Sequence, residues 1–214
     1  MVPIIGNQFQ NGATVTVNGV PVTVSVHNPT RIGATMPALT PGGLYDVVVT
    51  NPGGPSSALP QAWFTDFPDV PASSGFHASV ERVVRDGIAS GYTNNTYGPN
   101  DPVTRAQMAV FLLRGEHPGG YTPPPATGGV FFDVAATDFA ADWIEQLYAE
   151  GITGGCAPPD PQHGNLPRYC PNNSVSRAQM AVFLLKVFEG TSHMPPPATG
   201  VFTDCPLGDP ALAP

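Results

Sequence analysis

The sequence predicts a multidomain chain, with an antiparallel β-sandwich at the N-terminus and α-helical repeats of helix–loop–helix pairs after it. Residues 13–26 read ATVTVNGVPVTVSV, with apolar and polar residues alternating, which is the period of a half-buried strand. The stretch TRAQMAVFLLR at 104–114 returns as SRAQMAVFLLK at 176–186. Near-identical helices written twice mark an internal repeat whose copies stack. The 214 residues also hold 27 Pro and 24 Gly but only 11% charged residues, a profile of small modules on stiff spacers, common in exported surface proteins.

The same composition excludes several functions. A net charge of −8 with eight Lys and Arg in all supplies no basic stripe for phosphate neutralisation, so nucleic acid is not a partner. No run of about 18 apolar residues is present to span a membrane. The start, MVPIIGNQF, lacks the basic and apolar regions of a signal peptide. An export signal is expected outside these residues, which would make the chain a fragment. Among the residues there is no nucleophile–base–orienter set, metal motif or Gly-rich phosphate loop, so neither an enzyme nor a bound cofactor is expected.

In the β-rich start, Asn18-Gly19 interrupts the alternation and predicts a hairpin with a type I′ turn, since both residues tolerate positive φ. A further strand is expected in LYDVVVTN at 44–51 and a last apolar run near 59–64, giving about four short strands of sandwich material. Gly6-Asn7-Gln8-Phe9, GATVTVNGVPV, PGGLYDVVVTNPGG and LPQAWFT together resemble the IPT/TIG family of immunoglobulin-like domains over about residues 1–65. That family opens with a strand ahead of its G-x-x-F element, and with Met1 so close before Gly6 the opening strand is expected to be missing, leaving the sandwich incomplete. The resemblance implies a spacer, or less often an adhesive or carbohydrate-contacting surface.

The repeat is longer than its second helix. FPDVPASSGFHASVERVVRDGIASGY and FFDVAATDFAADWIEQLYAEGITGGC align, with aspartates at Asp69 and Asp133. Phe76, Val80, Val83 and Val84 fall at i, i+4, i+7 and i+8, and Phe139, Trp143, Leu147 and Tyr148 keep comparable spacing, so each segment predicts an amphipathic helix. Gly87 and Gly151 supply the left-handed residue that ends it, letting Ile88 and Ile152 fold back on Val83 and Leu147. Thr104 to Gln107 and Ser176 to Gln179 have the form of capping boxes. The helices that follow are apolar nearly all round and must be covered on most sides, so the repeats are expected to pack on each other.

Between the two helices, 17 positions separate Gly87 from Thr104 and 25 separate Gly151 from Ser176. The enlarged second loop holds Cys156 and Cys170, which predict a disulfide offsetting the loop's ordering cost by about 3 kcal/mol. The rival is a metal site that adds His163, an incomplete ligand set without familiar spacing. A third copy begins with PPPATGVFTDC at 195–205, which repeats PPPATGGVFFDV at 123–134 and puts Asp204 in the place of Asp133. Cys205 is left without an assigned partner.

The order F-x-D-V, an aromatic helix, G-I-x-x-G, an N-P-type loop, and T/S-R-A-Q before an apolar helix resembles the S-layer homology (SLH) family over about residues 66–214. The resemblance implies three repeats in a pseudo-threefold bundle that attach non-covalently to the cell envelope, with grooves for an anionic cell-wall polysaccharide or a peptidoglycan-linked polymer. Carried over by position, the arginines of its motif are Arg105 and Arg177, and the aromatic of its first helix is Trp143, with Ser79 as the counterpart. Gln107 and Gln179 stand where the family's motif has Glu.

Charge chemistry supports a ligand role for the arginines. A cation at the first helical position opposes the macrodipole, at a few tenths of a kcal/mol or more, yet the chain places one there twice. A guanidinium beside free backbone N–H groups suits a carboxylate or phosphate. The ligand-binding set expected is therefore Arg105 and Arg177 with Thr104, Ser176, Asp69, Asp133 and Trp143. The alternatives are salt bridges from the arginines to Asp69, Asp133 or Asp204, and packing for Trp143 in place of sugar stacking. Asp138, Asp142, Glu145 and Glu150 read as a solvated helix face.

The expected organisation is a sandwich over 1–65, a first repeat over 66–117, a Pro/Gly linker over 118–129, a second repeat over 130–190, a Pro-rich linker over 191–200, and the start of a truncated third over 201–214. The expected function is non-catalytic anchoring at a bacterial cell surface, with self-association to complete the repeat bundle. The alternative is a structural or adhesive protein whose repeats bind other protein subunits and no glycan.

Overall fold

The computed structural model describes residues 1–196, so Asp204 and Cys205 lie outside the described residues. The described residues form two compact units: residues 1–85 with 90–99, and residues 86–89 with 100–196.

The first unit is a β-sandwich. One sheet has the order β1 (Val2–Ile5), β5 (Arg31–Ala34), β4 (Val24–Asn28), and the other β3 (Val20–Val22), β2 (Thr14–Val17), β6 (Leu44–Thr50), β7 (Ser56–Phe64), with every pair antiparallel. The Asn18-Gly19 hairpin forms as expected, with φ of 52° and 74° and Val17 opposite Val20. Alternation puts Val15 and Val17 of β2 and Val47 and Val49 of β6 against Ile4, Ile32 and Ala34 of the other sheet. Two expectations need correction. An opening strand is present, because Pro3 and Ile4 of β1 pair with Gly33 and Ile32 of β5. The second arm of the alternating run 13–26 is two strands, since the chain leaves one sheet after Val22 and enters the other at Val24.

Phe64 at the end of β7 and Phe67 and Val70 beyond it form a second cluster with Val80 and Val84 of α1 (His77–Arg85). The first helix of the first repeat therefore belongs to the same unit as the sandwich.

The second unit holds α2 (Arg105–Glu116), α3 (Ala141–Ala149), the hairpin of β8 (Ala157–Asp160) and β9 (Leu166–Arg168), and α4 (Arg177–Glu189). Its core joins Met108, Ala109, Leu112 and Leu113 of α2 to Trp143, Ile144 and Leu147 of α3 and to Phe183 of α4. The helix closing the first repeat thus packs on the helix opening the second.

Both capping boxes form, with each hydroxyl taking the N3 amide and each glutamine returning to the N-cap amide. At the end of α3, Gly151 has φ of 75°. Its N–H donates to Tyr148 and that of Ile152 to Leu147, completing the Schellman pattern. The expected stripes begin too early, however. Phe76 precedes α1 and is 59% exposed, while Phe139 precedes α3 and is 70% exposed. Ala140, at φ of 60°, breaks the helical path just after Phe139.

Candidate functional site

Each repeat contains the same small assembly, built by its F-x-D-V motif. In the first, Asp69 accepts hydrogen bonds from the N–H groups of Tyr97 and Gly98 at 3.0 and 2.8 Å, and Phe67 lies 5.5 Å from the Tyr97 ring. In the second, Asp133 accepts from Tyr169 and Cys170, both at 2.8 Å, and Phe131 lies 5.1 Å from the Tyr169 ring. The aspartate holds its own repeat's inter-helix loop, and the phenylalanine seats the tyrosine of that loop. Gly91 and Gly155, the last glycines of G-I-x-x-G, are needed for this close approach. Both have positive φ, and a Cβ would meet Phe67 and the Thr96 carbonyl in one case and Phe131 and the Arg168 carbonyl in the other.

Burial raises the pKa of Asp69, but the N–H bonds from Tyr97 and Gly98 outweigh it and leave the carboxyl below its ordinary value. Asp133 also has an ion pair, with Arg168 at 3.5 Å. Neither aspartate bonds to a helix-start arginine in the way the salt-bridge alternative supposed.

Arg105 is 3% exposed and lies against the loop held by Asp133. Its Nε donates to the Tyr169 carbonyl at 2.8 Å, and the Tyr169 hydroxyl donates back to the Arg105 carbonyl at 2.9 Å. The guanidinium lies 4.8 Å from the Tyr169 ring centre and 5.6 Å from that of Phe183. Burial lowers the arginine's pKa, and its interactions with Tyr169 and the Asp133 carboxylate oppose that fall. The Tyr169 phenol is pushed up to about 12 by burial, against the pull of Arg105, so it is neutral at physiological pH. Arg105 Nη2 has no hydrogen-bond partner among the described residues.

The backbone donors of this helix start are also used. Arg105 N–H donates to the Asn173 carbonyl at 2.8 Å and Ala106 N–H to that of Pro171 at 3.0 Å, while Thr104 bridges to Ser174. Loop carbonyls of the second repeat thus occupy the N-terminus of α2, where an anion would sit.

At α4 the corresponding helix start is uncovered among the described residues. Ser176 and Arg177 are exposed, and the Arg177 and Ala178 N–H groups have no backbone acceptor among the described residues. Two arginines that match in sequence therefore differ in access: Arg105 locks a repeat boundary, and Arg177 presents a guanidinium and two amide donors.

Trp143 is 9% exposed, with the Arg114 guanidinium 5.2 Å from its ring centre and Tyr121 edge-on at 6.1 Å. Of the acidic residues near α3, Asp138 is exposed, as a solvated face requires, while Asp142, Glu145 and Glu150 are half-buried. Glu145 accepts from the N–H groups of Thr127 and Gly128, and Asp138 from that of Ala135. These carboxylates tie down the segments entering the helix.

Cys156 and Cys170 form the expected disulfide, with Cα atoms 6.0 Å apart. His163 instead bonds Asp160 at 2.7 Å and stacks on Phe132 at 4.1 Å. Because Cys170 is also gripped by Asp133, the disulfide is anchored beside the Tyr169 carbonyl that holds Arg105. Sequence reasoning missed Tyr97 and Tyr169. The signal was available, since YGPN at 97–100 and YCPN at 169–172 extend the duplicated stretch upstream.

A β-sandwich followed by helices that close on one another's loops defines a modular chain. Residues 1–62 are an IPT/TIG domain and residues 66–109 an S-layer homology domain by their match to the models of those families. The chain is also similar to two enzymes. It is 31% identical over 110 residues to an amylopullulanase of Thermoanaerobacterium thermosulfurigenes, and 31% identical over 128 residues to endo-1,4-beta-xylanase A of Thermoanaerobacterium saccharolyticum. The matches cover 51% and 60% of this chain but only 5% and 10% of those proteins. No described helix is long and apolar enough to cross a membrane.

Proposed function

We propose that this chain is a cell-envelope anchoring module that binds an anionic cell-wall polysaccharide or a peptidoglycan-associated polymer, with the IPT/TIG domain as spacer. The reading extends to the second copy, over 130–190, as a further SLH repeat of a pseudo-symmetric bundle. The observation that carries it is the open N-terminus of α4. There Arg177 combines an exposed guanidinium with amide donors that have no backbone acceptor among the described residues, the donor set whose hydrogen bonds a carboxylate or phosphate group accepts. Asp69 and Asp133 position the loops, and Thr104 and Ser176 shape the two helix starts.

Native cell-wall sacculi incubated with the purified, oxidised chain provide the test. The parent is expected to sediment with the sacculi and to be released by soluble anionic polysaccharide. Arg177→Ala, with folding checked by circular dichroism, is expected to lose most of that binding. Full retention by the folded variant, or none by the parent, refutes the reading.

A second reading has its own support. Leu184 and Leu185 of α4 are each 40% exposed and Phe188 is 77% exposed, an apolar face suited to another protein surface or to self-association of the chain. On that reading the chain is a structural or adhesive protein, and anionic polysaccharide does not compete.

A further inference from the structure

Where the last turns of α2 and α3 meet, three side chains of metal-ligating type converge. Glu116 ends α2, His117 is its C-cap residue, and Glu150 is the C-cap residue of α3. One donor atom from each lies within 4.8 Å of the others. His117 Nε2 is 3.1 Å from Glu150 Oε1, and the same oxygen accepts from Gln146 Nε2 at 2.6 Å. The Tyr121 ring lies on the imidazole, centres 4.4 Å apart and planes at 33°, which limits the ring's rotation. The Glu150 and His117 side chains are thus oriented by neighbours that are not themselves the ligand set, as second-layer contacts orient metal ligands.

The His117 imidazole pairs with Glu150 at 3.1 Å and can neutralise at most one carboxylate. Two carboxylates meet the negative ends of two helix dipoles. The last turn of α3 carries no basic residue, and Arg114, the basic residue in the last turn of α2, extends over Trp143 instead. An imidazole and two carboxylates are a nitrogen–oxygen set of borderline softness, which favours zinc over the calcium and magnesium that prefer oxygen alone. Bonds of about 2.0–2.2 Å need ligand atoms closer together than they stand here. Glu116, exposed at the rim, already interacts with Glu150 and His117.

We propose that Glu116, His117 and Glu150 form a zinc site with three protein ligands, which staples the second helix of the first repeat to the first helix of the second. The fourth position is left to water. The site is separate from the helix start at Arg177, so its failure leaves the anchoring reading untouched.

The full chain, stripped with a chelator and titrated with zinc chloride by calorimetry, is expected to take up one Zn²⁺. Metal content after desalting checks the stoichiometry. His117→Gln and Glu150→Gln, with folding checked by circular dichroism, are each expected to weaken uptake by about 100-fold, whereas His163→Gln leaves it unchanged. If a variant misfolds, the His117 imidazole resonances of the parent decide, since they should shift on zinc addition while those of His163 stay. No uptake by the parent, unchanged uptake in folded His117→Gln, or equal affinity for calcium overturns the proposal.

Discussion

Arg105 and Arg177 follow the same kind of cap and precede the same helix, yet one is buried between Tyr169 and Phe183 and the other is exposed. Their energetic roles should differ accordingly. Arg105→Ala removes a charged hydrogen bond and leaves a cavity in the core of the second unit. It should cost about 3 kcal/mol, whereas Arg177→Ala should change stability by less than about 0.5 kcal/mol. Urea unfolding of the two variants beside the parent measures both, and equal costs would contradict the assigned roles. The residue types of the candidate site were legible in the sequence, because a cation at a helix start is unfavourable and was repeated. Which arginine is accessible was not legible, because that depends on a loop 64 residues away from Arg105.

Among the elements, α2 and α4 make the same point over a whole helix. Leu112 and Leu113 are 5% and 0% exposed, while their counterparts Leu184 and Leu185 are 40% exposed. Helix type, start and cap follow from local chemistry, and those expectations held at both copies. Coverage follows from neighbours: α2 has α3 and α4 against it, and the expectation that α4 is covered on most sides fails among the described residues. The close of α3 offers a test of local chemistry. Gly151→Ala forces a Cβ residue into left-handed backbone at φ of 75° and should cost about 1 kcal/mol, read as a lowered melting temperature. No change would mean that the Schellman close contributes little. Strands were less legible than helices. β5 is RIGA, too short and too poor in alternation to be noticed, and its Ile32 and Ala34 are buried because they pack against Val15, Val17, Val47 and Val49 of the other sheet.

For the whole molecule, repeat boundaries and packing boundaries differ. The sequence pattern starts a module near residue 66, but residues 66–85 and 90–99 pack with the sandwich. The disulfide lies wholly in the second unit and restrains the loop that occupies the start of α2. Reduction should therefore destabilise that unit by about 3 kcal/mol, the scale for closing a loop of this length, and leave the first unit's unfolding unchanged. Calorimetry with and without reductant reads both transitions, and a shift in the first would show that the units do not unfold independently.

The sequence by itself determined the sandwich and the repeat, the hairpin at Asn18-Gly19, the capping boxes and the cysteine pair. These are written in period, turn chemistry and spacing, and all act over a few residues. Only the tertiary structure decided that Asp69 and Asp133 hold loops, that among the described residues loop carbonyls fill the start of α2 and not that of α4, and that Glu116, His117 and Glu150 meet. Burial and hydrogen-bond partnership depend on which distant segments come together, and a local pattern does not carry that information.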